Sequence, residues 1–536
     1  MESDPSVLHV LVVGFHHKKG CIVEYSWPPM IPGGKPQGPE LPSQWRHLPR
    51  HVPHYLSLPD GSHNYRQDAS VFHLPDLHDP RKTVFGISCY RQIESDKLYN
   101  KSTEITRSSV QKALCVLSRL PLYGQIRVKM SLITEAYFRE ADFTRWDLIH
   151  QTYDNLNACL EDSMLYTQQL YVGLSARNLV ARFKQRTLVL FKLLLLERKI
   201  LFFLSPVEEL TEIFLTLLSL HPGMLESGLG EAARMVPAET PTSSPIPPLP
   251  NSLRAKLKPK EETNDEEEPE AQVEIPSLSH ILNLSTKDLN LPLKIFTEGN
   301  LCHPYLCLPF LDVLSDPSIR GYFIGATNIL FKQKRGIYDV LVDIQADNKI
   351  EISDPELKKY LALTTEDLRF MDNIVKHVSE ENVDVFMDGV GWEGGDEWVR
   401  AQFRLYLVCL LRSSLEDVPE FNSSFLTAWK KTNNYKYWIE SAPATLGDFP
   451  IGHPYSGQYS VSDMKLHLTN SITNSEGGKR VSAAVANTGK AVAGGLSSAK
   501  GAFSSWIGSF KFDASLENYE DEEKDHTNVV IPNNEK

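Results

Sequence analysis

Val7 to Phe15 is a nearly unbroken apolar run of strand length. Cys21 to Tyr25 follows it after a polar turn, His16-His17-Lys18-Lys19-Gly20, so the pair reads as a β-hairpin. A Pro-rich excursion covers Trp27 to Pro59, and Val84 to Tyr90 (VFGISCY) reads as the next strand. The spacing of apolar positions then becomes helical, at Ser109 to Leu120 and at Ile126 to Phe138. Residues 145–227 predict mainly helix. The strongest runs are Leu179 to Leu196 and Glu208 to Leu220, the latter stopped by Pro222-Gly223. Between them, Ile200 to Leu204 has the length of a strand. Further on, Arg320 to Phe331 reads as strand, Gly turn, strand, and Ile337 to Asp343 and Lys349 to Ile352 read as strands. Asp354-Pro355 opens a helix, and Thr365 to His377, Glu397 to Leu411 and Phe421 to Trp429 are helical. The fold class is α/β.

Composition divides the chain. Pro237 to Pro276 holds nine prolines, and Glu261 to Glu274 holds eight acids and no base. Such a stretch lacks the apolar residues to offset its ordering entropy, so 228–276 reads as a disordered insert. Residues 477–512 carry five Lys/Arg and no acid, whereas 513–536 carry eight acids against two Lys and read as a disordered tail. The whole chain, 536 residues at a net charge of −13, does not fit nucleic-acid coating, which needs a basic field.

Chemistry is sparse. There is no GxSxG, GxxxxGK[ST] or HExxH pattern and no kinase signature. Gly389-Val390-Gly391-Trp392-Glu393-Gly394 matches GxGxxG, but helix and polar sequence precede it where a dinucleotide fold needs a strand. Asp388, Glu393, Asp396 and Glu397 around it would repel a pyrophosphate. The segment reads instead as a Gly-rich loop, with Asp396 capping the helix that follows. Trp392 and Trp398 are either core aromatics or a partner-binding edge. His47, His51 and His54 have near-helical spacing, but Pro49 and Pro53 break that helix, so no metal site is expected. The seven cysteines are odd in number and contain no CxxC, and Cys302 and Cys307 read as ordinary thiols. A reducing, cytosolic compartment is the expectation. No catalytic residue and no cofactor is expected. Leu188 to Leu204 is the one stretch resembling a membrane span, but Lys192, Glu197, Arg198 and Lys199 interrupt it, so a buried helix followed by a strand is the reading. The N-terminus does not read as a signal peptide.

The basic segment has a period of its own. Val481, Val492 and Phe503 repeat every 11 residues, as do Val485, Leu496 and Ile507, and Thr488, Ala499 and Phe510. Eleven residues in three turns keep one helix face apolar. Gly489, Gly494, Gly495, Gly501 and Gly508 each cost about 1 kcal/mol against Ala, so this helix needs a surface to form on. A membrane surface suits it, contacted by Val492, Leu496, Lys500, Phe503, Trp506, Ile507 and Phe510. The alternative is a disordered tail, or a helix docked on the body.

Several blocks carry a resemblance. They are Gly14 to Gly20 (GFHHKKG), Val84 to Ile93 (VFGISCYRQI), Leu120 to Gly124 (LPLYG), Ile200 to Pro206 (ILFFLSP), Gly321 to Phe331 (GYFIGATNILF), Gly391 to Phe403 (GWEGGDEWVRAQF), Thr427 to Asn434 (TAWKKTNN) and Gly457 to Leu466 (GQYSVSDMKL). Through them the chain resembles the DENN superfamily, and within it the Avl-type late secretory pathway proteins. The resemblance implies two lobes. A longin-like module would cover 1–140, and a second α/β module with helical additions would cover 145–227 and 277–470, split by the insert. It also implies a cytoplasmic protein, peripheral on Golgi-derived or recycling-endosome membranes, working in Golgi-to-surface and recycling transport and linked with cell migration and polarity. Its partners would be a Rab-family GTPase and other trafficking proteins, with Trp392 and Glu393 as candidate contacts. Release of GDP from a Rab and an exchange-inactive adaptor or tether are the two functional readings.

Overall fold

A computed structural model describes residues 5–16, 18–31, 33–37, 52–99, 107–233, 250, 285–297, 299–379, 386–387, 391–416, 418–449 and 451–456. For 52–54, 386–387, 391 and 448 it describes the backbone alone. Most of the insert, the tail segments 477–512 and 513–536, His47 and His51 lie outside these residues.

The first sheet is antiparallel. Its strands are β1 (Val7–His16), β2 (Gly20–Trp27), β3 (Gln67–Pro75), β4 (Thr83–Glu94) and β5 (Ser109–Ser118), in the order β2-β1-β5-β4-β3. The expected hairpin is β1 and β2, with a register shift between Val12 and Val13. Ser109 to Leu120, expected to be helical, is strand β5. It is the central strand, paired on both edges, and Ala113 to Ser118 is buried throughout. A strand covered on both faces has no polar alternation, so its apolar run resembles that of a buried helix. Helix α2 (Tyr123–Arg139) lies on the face that carries Val10, Ile87 and Val116, burying Ile126, Met130 and Tyr137.

The second sheet has the order β10-β9-β6-β8-β7. Its strands are β6 (Lys199–Phe203), β7 (Asn300–His303), β8 (Gly321–Ala326), β9 (Val340–Asp343) and β10 (Lys349–Ile352), and all but the edge strand β10 are parallel. Two expectations change here. The apolar run Leu179 to Leu196 is two helices, α4 (Ala176–Phe183) and α5 (Arg186–Leu195), because Lys184 turns the chain with φ 49. The second half of Arg320 to Phe331 is a short helix, Ile329–Gln333, whose start is capped by the Asn328 side chain accepting the Leu330 N–H. Residues 228–233, placed with the insert by composition, are packed into the body. The Gly230 carbonyl accepts the Thr83 N–H at 2.8 Å, and the Ala232 carbonyl accepts the Cys302 N–H at 2.9 Å. Among the described residues no helix is long and apolar enough to cross a membrane. Leu188 to Leu204 is instead divided between α5 and β6.

The two sheets meet edge to edge, β3 beside β7. One hydrophobic cluster takes Val10, Ile87 and Val116 from the first sheet with Phe202, Phe323 and Val342 from the second. The other takes Leu11, Phe72 and Cys115 with Leu201, Ile324 and Leu341. The seam itself is polar. Buried His73 joins the Cys302 carbonyl (2.7 Å) to the Tyr123 hydroxyl (2.8 Å). Asp60 accepts the Leu308 N–H at 3.0 Å. A third cluster of buried charge sits among α5, α9 (Thr365–Ser379) and α10 (Asp396–Ser413), where Lys192 and Asp367, both without solvent exposure, are 2.5 Å apart. (Among the described residues the remaining α-helices are α1, Val52–Ser57, α3, Asp147–Cys159, α6, Val207–Ser219, α7, Ile329–Gln333, α8, Pro355–Tyr360, α11, Ser423–Trp429, and α12, Asn433–Glu440.)

Candidate interaction surface

In parallel sheets of this kind the crevice beyond the strands' carboxyl ends is the usual ligand site, and the start of the next helix favours an anion. Here β6 runs through Ser205-Pro206 into α6 (Val207–Ser219), whose first residues carry no side-chain cap of their own. That position is filled from the other sheet. The Asp68 carboxylate on β3 accepts the N–H groups of Val207 (3.2 Å) and Glu208 (2.9 Å), and that of Ala69 (2.9 Å). Burial pushes the Asp68 carboxyl up to about 6, against the pull of these donors. The helix start thus clamps one sheet to the other and does not offer open N–H groups to a phosphate. The adjoining cavity, lined by Asp68, Tyr90, Arg91, Arg127 and Thr134, measures about 50 Å³, room for a water or two. Among the described residues no group of three or more His, Cys, Asp or Glu could hold a metal ion. Cys302 and Cys307 are buried free thiols.

The described part of the Gly-rich segment is one edge of a two-stranded ribbon. Phe386–Met387 (β11) pairs antiparallel with Gly391–Trp392 (β12), Phe386 opposite Trp392. Gly394 turns the chain with φ 78 and passes so close to α9 that a Cβ there would lie 2.5 Å from the His377 carbonyl oxygen. Glu393 reaches back to the same residue, Oε1 to His377 Nε2 at 3.3 Å, while His377 Nδ1 lies 2.8 Å from the Asn373 carbonyl. The expectation for Asp396 needs correction. The N-cap of α10 is Gly395, and Asp396 caps a different helix, accepting the Arg177 N–H (2.8 Å) and the Ser175 hydroxyl (3.0 Å) at the start of α4. Gly395 has no side chain to spare, and the carboxylate one residue on is directed to the neighbouring helix. Arg177 also donates to the Gly394 carbonyl at 3.3 Å. The hairpin base is therefore held by α4 and α9.

The two tryptophans separate. Trp398 lies on the inward face of α10, 2% exposed and 5.3 Å from the His377 ring. Trp392, on a two-stranded ribbon, is 53% exposed. Glu393 is the next residue, and its carboxylate is paired with His377 on the body. His377, Ser175 and Arg177, which hold that loop, are not legible from spacing, because they come from two stretches of chain about 200 residues apart. Val128 and Leu132 on α2 are also exposed. Their i, i+4 spacing, outside the Ile126, Met130, Tyr137 stripe, was a readable signal. The tail candidates Val492, Leu496, Lys500, Phe503, Trp506, Ile507 and Phe510 lie outside the described residues.

Comparison with known proteins places this geometry. The family model described as transport protein Avl9 matches residues 7–414. The late secretory pathway protein AVL9 of Saccharomyces cerevisiae is 28% identical over 535 residues, covering 88% of this chain and 64% of that protein. This chain thus spans just under two thirds of the budding-yeast relative's length. The late secretory pathway protein avl9 of Schizosaccharomyces pombe is 28% identical over 485 residues, covering 85% of this chain and 91% of that protein. The family match runs from β1 through both sheets, the seam and the hairpin to the end of α10, and the chain belongs to the Avl9 transport protein family.

Proposed function

We propose that this protein works in late secretory transport, as a two-lobed DENN-type module that acts on a Rab-family GTPase. It would do so in the cytoplasm, peripherally on Golgi-derived or recycling-endosome membranes. The observation that carries the reading is the family match over 7–414, together with the names of the two yeast relatives. The chemistry asked of the module is modest. GDP release needs no bond to be made or broken. It needs a surface that holds the nucleotide-free switch regions more tightly than the GDP-bound ones, so that binding shifts the equilibrium toward release. Trp392 suits such a surface. Its ring is large and half exposed, and the residues that follow it, Glu393, Gly394 and Asp396, are tied to α9 and α4. Glu393 adds a charge at the rim. The 477–512 helix, with Phe503 and Trp506 as its deepest residues, would hold the module on the membrane.

Equilibrium binding of the full chain to a panel of exocytic and recycling Rabs tests this. At least one nucleotide-free Rab is expected to bind ten or more times tighter than its GDP form, roughly 1.4 kcal/mol in differential affinity. A preference for the GTP form would make the protein an exchange-inactive adaptor or effector. Absence of binding to every Rab would remove the GTPase from the account.

A further inference from the structure

We propose that the face formed by α12 and the amino end of β6 binds an anionic phospholipid surface. The chain as a whole carries −13, which repels such a surface, so a cluster of cations on it calls for a reason. One buried carboxylate joins two of the segments that carry these cations. Glu197 turns the chain between α5 and β6 with φ 51, and it accepts the N–H groups of Asn433 (3.3 Å) and Asn434 (2.8 Å). Asn434 in turn donates to the Leu195 carbonyl at 2.9 Å. These bonds tie the start of α12 to the turn before β6, so Lys430, Lys431 and Lys436 lie within three residues of that junction along one segment and Arg198 next to it on the other; Lys431 is exposed, and Arg198, Lys430 and Lys436 are half-exposed. Lys294 joins them, its Nζ 5.7 Å from the centre of the Tyr437 ring. The negative charge of Glu197 is answered by the Arg320 guanidinium and not by any of these five. Among the described residues none of the five has an ion-pair partner. Glu440, at the far end of α12, is the exposed acid on the same helix.

The residue types favour lipid. Four of the five cations are lysines, point charges on flexible stems, which suit a fluid array of headgroups. Recognition of carboxylates or phosphates on a protein selects the fixed fork of arginine. Tyr437, 38% exposed among the lysines, has the apolar body and polar tip found at membrane interfaces. The inference stands apart from the tail helix. Insertion of apolar tail residues depends little on salt, whereas a charged face loses its attraction as the Debye length shortens.

The test uses the full chain with vesicles of phosphatidylcholine, with and without phosphatidylserine. Wild type is expected to prefer the phosphatidylserine vesicles, and to lose that preference in high salt. The variant Lys430→Glu/Lys431→Glu/Lys436→Glu should bind them about 100-fold more weakly or worse, with its melting temperature unchanged. Charge reversal of Lys18, Lys19 and Lys82, exposed elsewhere on the body, should leave the preference intact. A Phe503→Glu/Trp506→Glu variant should keep the salt-sensitive preference whatever it does to total binding. The inference is overturned if the three-lysine variant binds as wild type does. It is also overturned if inorganic phosphate at buffer concentrations strips the protein from vesicles, or if the face captures a polyglutamate peptide while ignoring phosphatidylserine.

Discussion

Replacing Asp367 by Asn is expected to cost about 3–5 kcal/mol of folding stability, the penalty for leaving a buried charge uncompensated. Lys192 and Asp367 have no solvent exposure, and Asp367 holds together more than the lysine. Its carboxylate accepts the Tyr406 hydroxyl at 2.7 Å and the Thr364 N–H at 3.0 Å, and it lies 3.4 Å from His453 Nε2. Thr364 returns the bond, its hydroxyl accepting the Asp367 N–H at 3.2 Å, so the pair also forms a capping box at the start of α9. Burial alone would raise the Asp367 carboxyl. The Lys192 ammonium and the His453 contact outweigh that and hold it well below the usual carboxylate range. An amide at 367 can keep the Thr364 N–H on its oxygen and donate to the Tyr406 hydroxyl from its nitrogen, but it leaves the ammonium of Lys192 without a counter-charge. Adding Lys192→Met removes that ammonium, and the double variant should recover most of the loss. Urea midpoints of the two single variants and the double variant measure this. A single Asp367→Asn that costs under about 1 kcal/mol would contradict a charged pair.

Acidification from about pH 7.5 to about pH 5 is expected to remove about 6 kcal/mol through three buried histidines, against which the raised carboxyl of Asp68 returns about 1 kcal/mol. Burial lowers His73 from its ordinary 6.5 to about 4, and lowers His221 and His303 to about 3. The folded chain keeps all three neutral in the interval where the unfolded chain protonates them. The unfolded state therefore binds more protons, and stability falls as pH drops below 6.5, by about 2 kcal/mol per histidine at pH 5. Above 6.5 the contribution is fully present. His73 bridges the two sheets, and the His303 ring lies between those of His73 (6.2 Å) and Phe310 (6.0 Å), so the loss falls largely on the seam. Denaturant titrations at a series of pH values should show it, and His303→Leu should reduce the pH dependence by about a third. A stability profile flat between pH 7 and 5 would mean that these rings protonate in the folded chain and find acceptors there.

Much of the fold was legible because local patterns and packing agree. The β1 and β2 hairpin has a polar turn between two apolar runs, and α2, α6, α9 and α10 each carry an apolar stripe at helical spacing. The failures share a physical cause, which is that a partner distant in sequence decided the local state. Strand β5 is flanked by strands on both edges and shows no alternation. Strand β3 was not read at all, because Asp68, Ser70 and His73 interrupt its apolar run, and all three are buried against partners more than 10 residues away. Asp396 has the sequence position of a helix cap and caps another helix. The membership of the hairpin was readable from its glycines, but its exposed tryptophan could be told from its buried one only when α9 and α4 were in place. Of the five cations at 198, 294 and 430–436 only the Lys430-Lys431 pair is a local signal; Arg198 is linked to that segment through Glu197, and Lys294 through Tyr437.

Engagement of a GTPase through the Trp392 ribbon, as proposed, is tested by release of fluorescent GDP from the Rab that binds best, measured on vesicles with wild type and with Trp392→Ala. Wild type is expected to accelerate release, and the alanine variant, folded to the same melting temperature, to lose at least about tenfold of that acceleration, as expected for an exposed aromatic anchor. Equal release by both proteins would contradict the hairpin's role, and no acceleration by wild type from any Rab would contradict exchange itself.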